Sequence, residues 1–313
     1  MPNKKVAIGV DIGGTNTVFG LVDEQGNCLV QDSIKTTDYP LIDGFVAHVS
    51  NCVKELMSVH SDAEVIGMGI GAPNGNYYTG SIDFAPNLKW DGVIPLVDLF
   101  SAHFDFPITL TNDANAAAIG ERIYGAAKGV DDFLMVTLGT GLGSGFVVNG
   151  NLVYGHDGFA GELGHTIVEK NGRDCGCGRK GCLETYASAS GIVRTAKEFL
   201  ENSNESRLGD LKEITSKSIA EAALKGDQLA LDIFDYTAEK LGFSLANTVA
   251  LTSPKLIVLF GGLAQAGDLI IKPTKKYMEE YLLNIYQNKI EILPSKLKAS
   301  DAAILGASAL AWE

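Results

Sequence analysis

His165, Cys175, Cys177 and Cys182 bring one imidazole and three thiols into a short stretch of chain. That is the ligand set of a closed tetrahedral structural zinc site, in which four protein donors leave no open position for catalysis. Gly176, Gly178 and Gly181 between them let the backbone wrap an ion, and metal binding would tie residues 164–183 to the body of the protein. Reduced thiols without metal are the alternative. Glu162, within Gly161-Glu162-Leu163-Gly164-His165, and Glu184, two residues past Cys182, flank the cluster. A loop glutamate is ordinarily only solvated, but two of them held against one rigid ion would suit the hydroxyls of a polyol.

A second chemistry lies in two glycine-threonine turns. Asp11-Ile12-Gly13-Gly14-Thr15 ends a short apolar run, and Leu138-Gly139-Thr140-Gly141-x-Gly143 ends another. A carboxylate at a strand tip, then backbone amides with no side chain in the way, then a hydroxyl, is a cradle for phosphate. Two such turns meeting across a cleft would hold a polyphosphate from both sides, with Asp11 holding Mg²⁺ directly or through water. Gly261-Gly262, after a third apolar strand, joins them. Either turn alone would more simply be a tight hairpin. The formal G-x-G-x-x-G of Gly176 to Gly181 opens no strand-to-helix turn and belongs to the cysteine cluster, so it is not a dinucleotide fingerprint.

These residues need strands that stop at the right places. Val6–Val10, Thr17–Val22 and Cys28–Thr36 read as a meander, residues 41–56 as an amphipathic helix, and Val65–Ile70 and Pro107–Thr111 as buried strands. Asn112-Asp113 then opens an Ala-rich helix to Tyr124, a common place for a capping aspartate. The pattern restarts with strands Phe133–Leu138, Gly145–Val148 and Leu152–Tyr154, the last two joined by an Asn149-Gly150 hairpin turn. Thr185–Leu200 and Gln228–Leu251 read as helices, Leu256–Phe260 as a buried strand, Ala303–Ala311 as a closing helix, and Asn202–Asp210 as a surface loop.

At 313 residues the chain exceeds one comfortable core, so two lobes sharing a cleft are expected. A net charge of −13 argues against a partner with a phosphate backbone, so no nucleic acid is expected. The longest uncharged stretch, Phe133–His156, is punctuated by six glycines, which excludes a spanning helix and leaves no membrane partner. Asp11 interrupts the first apolar run too early for a signal peptide, and the five cysteines do not resemble a disulfide framework, so a cytoplasmic location is expected.

Asp11-Ile12-Gly13-Gly14-Thr15, Asn112-Asp113-Ala114-Asn115, Gly139-Thr140-Gly141-x-Gly143, Glu162-Leu163-Gly164-His165 and the Cys175 to Glu184 motif together resemble the ROK family of bacterial sugar kinases and related repressors. The resemblance implies an α/β, actin-like ATPase (ribonuclease H-like) fold, with two lobes of duplicated βββαβα units around an interlobe cleft. Residues 1–112 with about 301–313 would form the small lobe, and 113–300 the large lobe with its zinc-binding loop at 162–184. It further implies transfer of the γ-phosphoryl group of MgATP to the primary hydroxyl of a hexose, glucose becoming glucose 6-phosphate. N-acetylmannosamine, N-acetylglucosamine, fructose and allose are the alternative acceptors.

By the same resemblance Asp113 is the catalytic base, Asn87, Asn112, Glu162, His165 and Glu184 contact the sugar, and ATP, Mg²⁺ and structural Zn²⁺ are the cofactors. Asp11, Gly13, Gly14, Thr15, Gly139, Thr140, Gly141, Gly261 and Gly262 would hold the nucleotide. A homo-oligomer, dimer or tetramer, is expected. The family's repressors carry a helix-turn-helix ahead of the first turn, for which Asp11 lies too near the start.

Overall fold

The computed structural model describes residues 4–202, 206–298 and 300–313. Contacts divide the chain into two units, Met1–Gly129 with Leu152–Ala160 and Lys296–Glu313, and Val130–Asn151 with Gly161–Ser295. The expected boundary at 112/113 is thus displaced to residue 129, and helix Asp113–Ile123 belongs to the first unit. The cause is packing. A Cβ on Gly120 would lie 2.8 Å from the Gly306 Cα, so the Ala-rich helix and the closing helix Ala302–Ala309 approach backbone to backbone.

In the first unit, strands run in the spatial order Cys28–Lys35, Asn16–Asp23, Lys4–Ile12, Ala63–Gly71, Ile108–Thr111. The first three are an antiparallel meander, and the last two continue from Lys4–Ile12 in parallel. The near-continuous apolar runs in the centre reflect burial on both faces: Ile8, Val10, Met68 and Ile70 share a core with Phe45, Val46 and Val49 of helix Ile42–Val59, and the closing helix packs against the same strands. Gly9 and Gly69 seat that closing helix, since a Cβ at either would meet the backbone of Ile304, Ser308 or Ala307.

In the second unit the order is Asn151–Leu152, Leu142–Val148, Phe133–Leu138, Leu256–Phe260, Glu291–Pro294, the same permutation again. Leu142–Val148 pairs antiparallel with Phe133–Leu138, and the following two strands are parallel. Asn149 and Gly150 both have positive φ, 50° and 76°, as the two central residues of a type I′ hairpin turn require. The core of this unit gathers Ile192, Phe234, Leu241, Leu245 and Met278 from helices Ala189–Leu200, Gln228–Thr252 and Asp268–Tyr281 over the sheet.

Two expectations are corrected. Thr185–Leu200 is two helices, Glu184–Ala187 and Ala189–Leu200, because Ser188 leaves helical geometry (ψ 174°) and its side chain accepts a hydrogen bond from the Gly191 N–H as a cap. The stretch 202–210 is no simple surface loop: residues 203–205 lie outside those described, but Leu208 is fully buried in a short 3₁₀ turn, Arg207–Asp210. Among the described residues, no helix is long and apolar enough to cross a membrane.

Candidate functional site

Asp11 is the penultimate residue of the first strand, in register with Gly71, which is in turn in register with Thr111. The ends of three parallel-connected strands therefore lie side by side, the place where open α/β sheets bind ligands. Gly71 has no side chain to fill the gap. A Cβ there would lie 3.3 Å from Asp11 Oδ1 and 3.7 Å from the Asp113 Cα. Two carboxylates thus share one strand edge.

Asn112, not Asp113, caps the helix that follows: its side-chain oxygen accepts the Asn115 N–H at 2.7 Å. Asp113 at the first helical position accepts the adjacent Ala114 N–H, at 2.8 Å, and its side chain stays solvent-accessible. The capping position is thus filled by Asn112 through its side-chain oxygen. Crowding by surrounding protein raises the pKa of Asp113, against the smaller opposing effect of its backbone hydrogen bonds. Burial also pushes Asp11 up, to about 7, with the charge of Asp113 adding to the shift.

The first glycine turn is tight because the Gly13 N–H donates to the Asn16 carbonyl at 2.9 Å. Gly14 passes so close to Asn87 that a Cβ would be 2.6 Å from its carbonyl oxygen. Asn87 is exposed, yet its neighbours Leu88 and Trp90 are buried, and the Trp90 indole donates to the Tyr39 carbonyl. Asp11, Gly13, Gly14, Thr15, Asn87, Asn112 and Asp113 therefore sit within one unit.

In the second unit the Gly139-Thr140-Gly141 turn is held from two sides. Ala189 N–H donates to the Gly139 carbonyl and Ser190 Oγ to the Thr140 carbonyl, each from the start of helix Ala189–Leu200. Gly261, at φ 99°, comes so near the turn that a Cβ would be 3.0 Å from Gly139 N. A Cβ on Gly262 would meet nothing within 4 Å, so backbone amides there can be approached. Of the six glycines expected to hold nucleotide, the four of this unit, Gly139, Gly141, Gly261 and Gly262, belong to turns that touch one another.

The cysteine and histidine cluster closes as its spacing suggests. The four ligand atoms of His165, Cys175, Cys177 and Cys182 lie within 4.8 Å of one another. His165 Nδ1 is 3.8 Å from Cys175 Sγ, and Cys177 Sγ is 3.6 Å from Cys182 Sγ. A tetrahedron with Zn–S bonds near 2.3 Å has edges of roughly 3.8 Å, so the donors fit such an ion. The Arg179 backbone N–H, helped by its side chain, lowers the Cys177 thiol to about 6, whereas burial raises those of Cys175 and Cys182.

With Nδ1 turned inward, His165 Nε2 faces Glu162, 3.9 Å away. Gly164 lets the loop cross the Leu142 carbonyl, where any side chain would collide. Glu184 bridges the two features: Oε2 accepts the Leu142 N–H at 2.9 Å, and Oε1 lies 4.0 Å from Cys175 Sγ. Sequence reasoning missed two supports of these groups, Ser190, whose hydroxyl donates to the Thr140 carbonyl, and Arg173, whose guanidinium donates to the Thr185 carbonyl beside Glu184.

The ROK family model matches residues 7–313. The chain belongs to the ROK family. A glucokinase of Halalkalibacterium halodurans is 37% identical over 307 residues, covering 96% of this chain and 92% of that protein. One of Thermotoga maritima is 34% identical over 319 residues, 100% of this chain and 99% of the relative. Among solved structures, a ROK glucokinase from Streptomyces griseus in complex with glucose and AMPPNP superposes with a TM-score of 0.79 at 35% identity, covering 97% of this chain and 98% of that one. The ROK fold, an actin-like ATPase fold, accounts for the repeated sheet order of the two units.

Proposed function

We propose that this chain is an ATP-dependent sugar kinase that transfers the γ-phosphoryl group to the primary hydroxyl of glucose, with Asp113 as general base. The observation that carries the reading is Asp113 itself: freed from capping, accessible, and beside Asp11 at a shared strand edge. Full-length similarity to glucokinases at 34–37% identity supports the acceptor and the donor. The bound pair in the Streptomyces griseus enzyme, glucose and AMPPNP, agrees with both.

A primary hydroxyl is a poor nucleophile until its proton has somewhere to go. Asp113 accepts that proton as the new O–P bond forms, and the bond to the ADP leaving group breaks. In the first unit the Gly14 amide and the Thr15 hydroxyl are donors for phosphate, and in the second the amides of Gly139, Gly141 and Gly262 and the Thr140 hydroxyl are. Asp11 would hold Mg²⁺, which neutralises charge on the transferring group. Asn87, the Asn112 amide nitrogen, Glu162, His165 Nε2 and Glu184 orient the sugar.

Zinc is the metal the Cys₃His set fits, with a structural role, since all four donors are protein atoms. The five free cysteines suit a reducing compartment, hence the cytoplasm. Phe243, Tyr281, Leu283 and Ile285, exposed in the second unit, support a homo-oligomer, which light scattering would read directly. The test of function is ADP release against a panel of hexoses and N-acetylhexosamines. Glucose should give the highest kcat/KM, and a panel without any sugar-dependent turnover would refute the reading.

A further inference from the structure

Arg173 lies two residues before Cys175, and its side chain is only 5% exposed. A buried guanidinium is costly unless every donor is satisfied and its charge is paired. Here both conditions hold. Nε and Nη2 donate to Glu198 Oε2, the Nε contact at 3.1 Å. Nη2 also donates to Thr195 Oγ1 at 2.9 Å. Nη1 donates to the carbonyls of Thr185, at 2.7 Å, and Gly191, at 3.3 Å. The guanidinium lies over the Tyr186 ring, 4.4 Å from its centroid, while the Tyr186 hydroxyl accepts the Arg173 backbone N–H. The Arg173 carbonyl accepts the Gly181 N–H, next to Cys182.

These partners are not scattered. Thr185 and Tyr186 belong to the single turn that carries Glu184. Gly191, Thr195 and Glu198 belong to the helix whose first residues, Ala189 and Ser190, hold the Gly139 and Thr140 carbonyls. Ser188 interrupts the helix between the two groups, and besides the Leu142 N–H on Glu184 Oε2 it is side-chain contacts that join them. One planar fork spans that break. Its backbone sits inside the cysteine loop.

We propose that Arg173 is a positioning residue for phosphoryl transfer, setting Glu184 and the Gly139-Thr140-Gly141 turn in a single relative arrangement. The proposal rests on the kinase reading, in which Glu184 meets the sugar and the turn meets the nucleotide. Lysine keeps the charge at 173 but offers a point where a fork is needed, so it cannot reach both helical segments at once.

The test is steady-state kinetics of the metal-loaded full chain, with glucose and MgATP varied in turn, for wild type and Arg173→Lys, beside thermal melting and metal analysis. Folded Arg173→Lys should keep its metal and raise KM for both substrates while kcat falls, a loss on the order of 10- to 100-fold in kcat/KM. Unchanged KM values in folded variant, with only a lower Tm, would show a merely structural residue and overturn the proposal. If Arg173→Lys does not fold, Thr195→Val removes one partner of Nη2. Both KM values should then rise about threefold, less than the full strength of one charge-assisted hydrogen bond because Nη2 keeps Glu198, and their staying at wild-type values overturns the proposal equally. Wild type without glucose-dependent turnover would sink the kinase reading instead.

Discussion

At the scale of single residues, the account turns on two neighbouring carboxylates with different duties. Asp113 can accept a proton only when ionised, and its pKa is raised, so kcat/KM should fall about tenfold per pH unit below that raised value. A pH–rate profile checks it. In Asp113→Asn, whose amide cannot act as base, the acidic limb should vanish together with the activity. Asp11 makes a stability statement as well. Its folded pKa of about 7 lies above the ordinary 3.8, so between those values the folded protein holds a proton that the unfolded chain has released. Stability therefore declines as pH rises through that window. Asp11→Asn should melt like wild type near pH 4 and a few degrees higher at pH 8 without Mg²⁺, while losing turnover. Melting curves at the two pH values decide it.

Most of these residues stood out in the sequence because two glycine-threonine turns, a carboxylate at a strand tip and a Cys₃His set occur together, though either turn alone reads as a tight hairpin. Arg173 was not. A lone arginine in a polar loop carries no pattern, and its value comes from partners at 185, 191, 195 and 198 that only folding brings to it.

At the scale of elements, the cysteine loop and the closing helix are the pieces that hold the chemistry in place. Removing the metal, or changing Cys177→Ser, should lower Tm and raise the glucose KM, because Glu162, His165 and Glu184 are all tied to the loop. Metal analysis alongside melting tests this, and native protein without zinc would contradict it. Gly306→Val should destabilise by about 1–3 kcal/mol, the cost of overpacking where two helices touch backbone to backbone, and denaturant unfolding would measure the change. Strand periodicity was readable because both sheets bury their centres. The break at Ser188 was not, since Thr185–Leu200 is helical in pattern on either side and only the cap geometry separates the pieces. Helix Asp268–Tyr281 went unread because Pro273 sits within it, in the second turn, where it removes one backbone donor and breaks the helical pattern.

At the scale of the whole molecule, one strand permutation occurs twice, and each copy ends its first hairpin in a glycine-threonine turn. That duplication was legible from the repeated strand, turn and strand pattern. The course of residues 152–160 was not. They follow the second hairpin in sequence but belong to the first unit, where Asn76 Nδ2 donates to the Asp157 carbonyl, Tyr78 to the Gly155 carbonyl, and Tyr154 stacks on Tyr77 at 4.1 Å. Local patterns say nothing about such long-range docking.

The most direct measurement is the rate of ADP formation in a single turnover with saturating glucose, in wild type and Asp113→Asn, beside calorimetric glucose affinity. The account predicts a rate lower by roughly 10²- to 10⁴-fold with glucose binding within a few fold of wild type. A variant that turns over near the wild-type rate would contradict it.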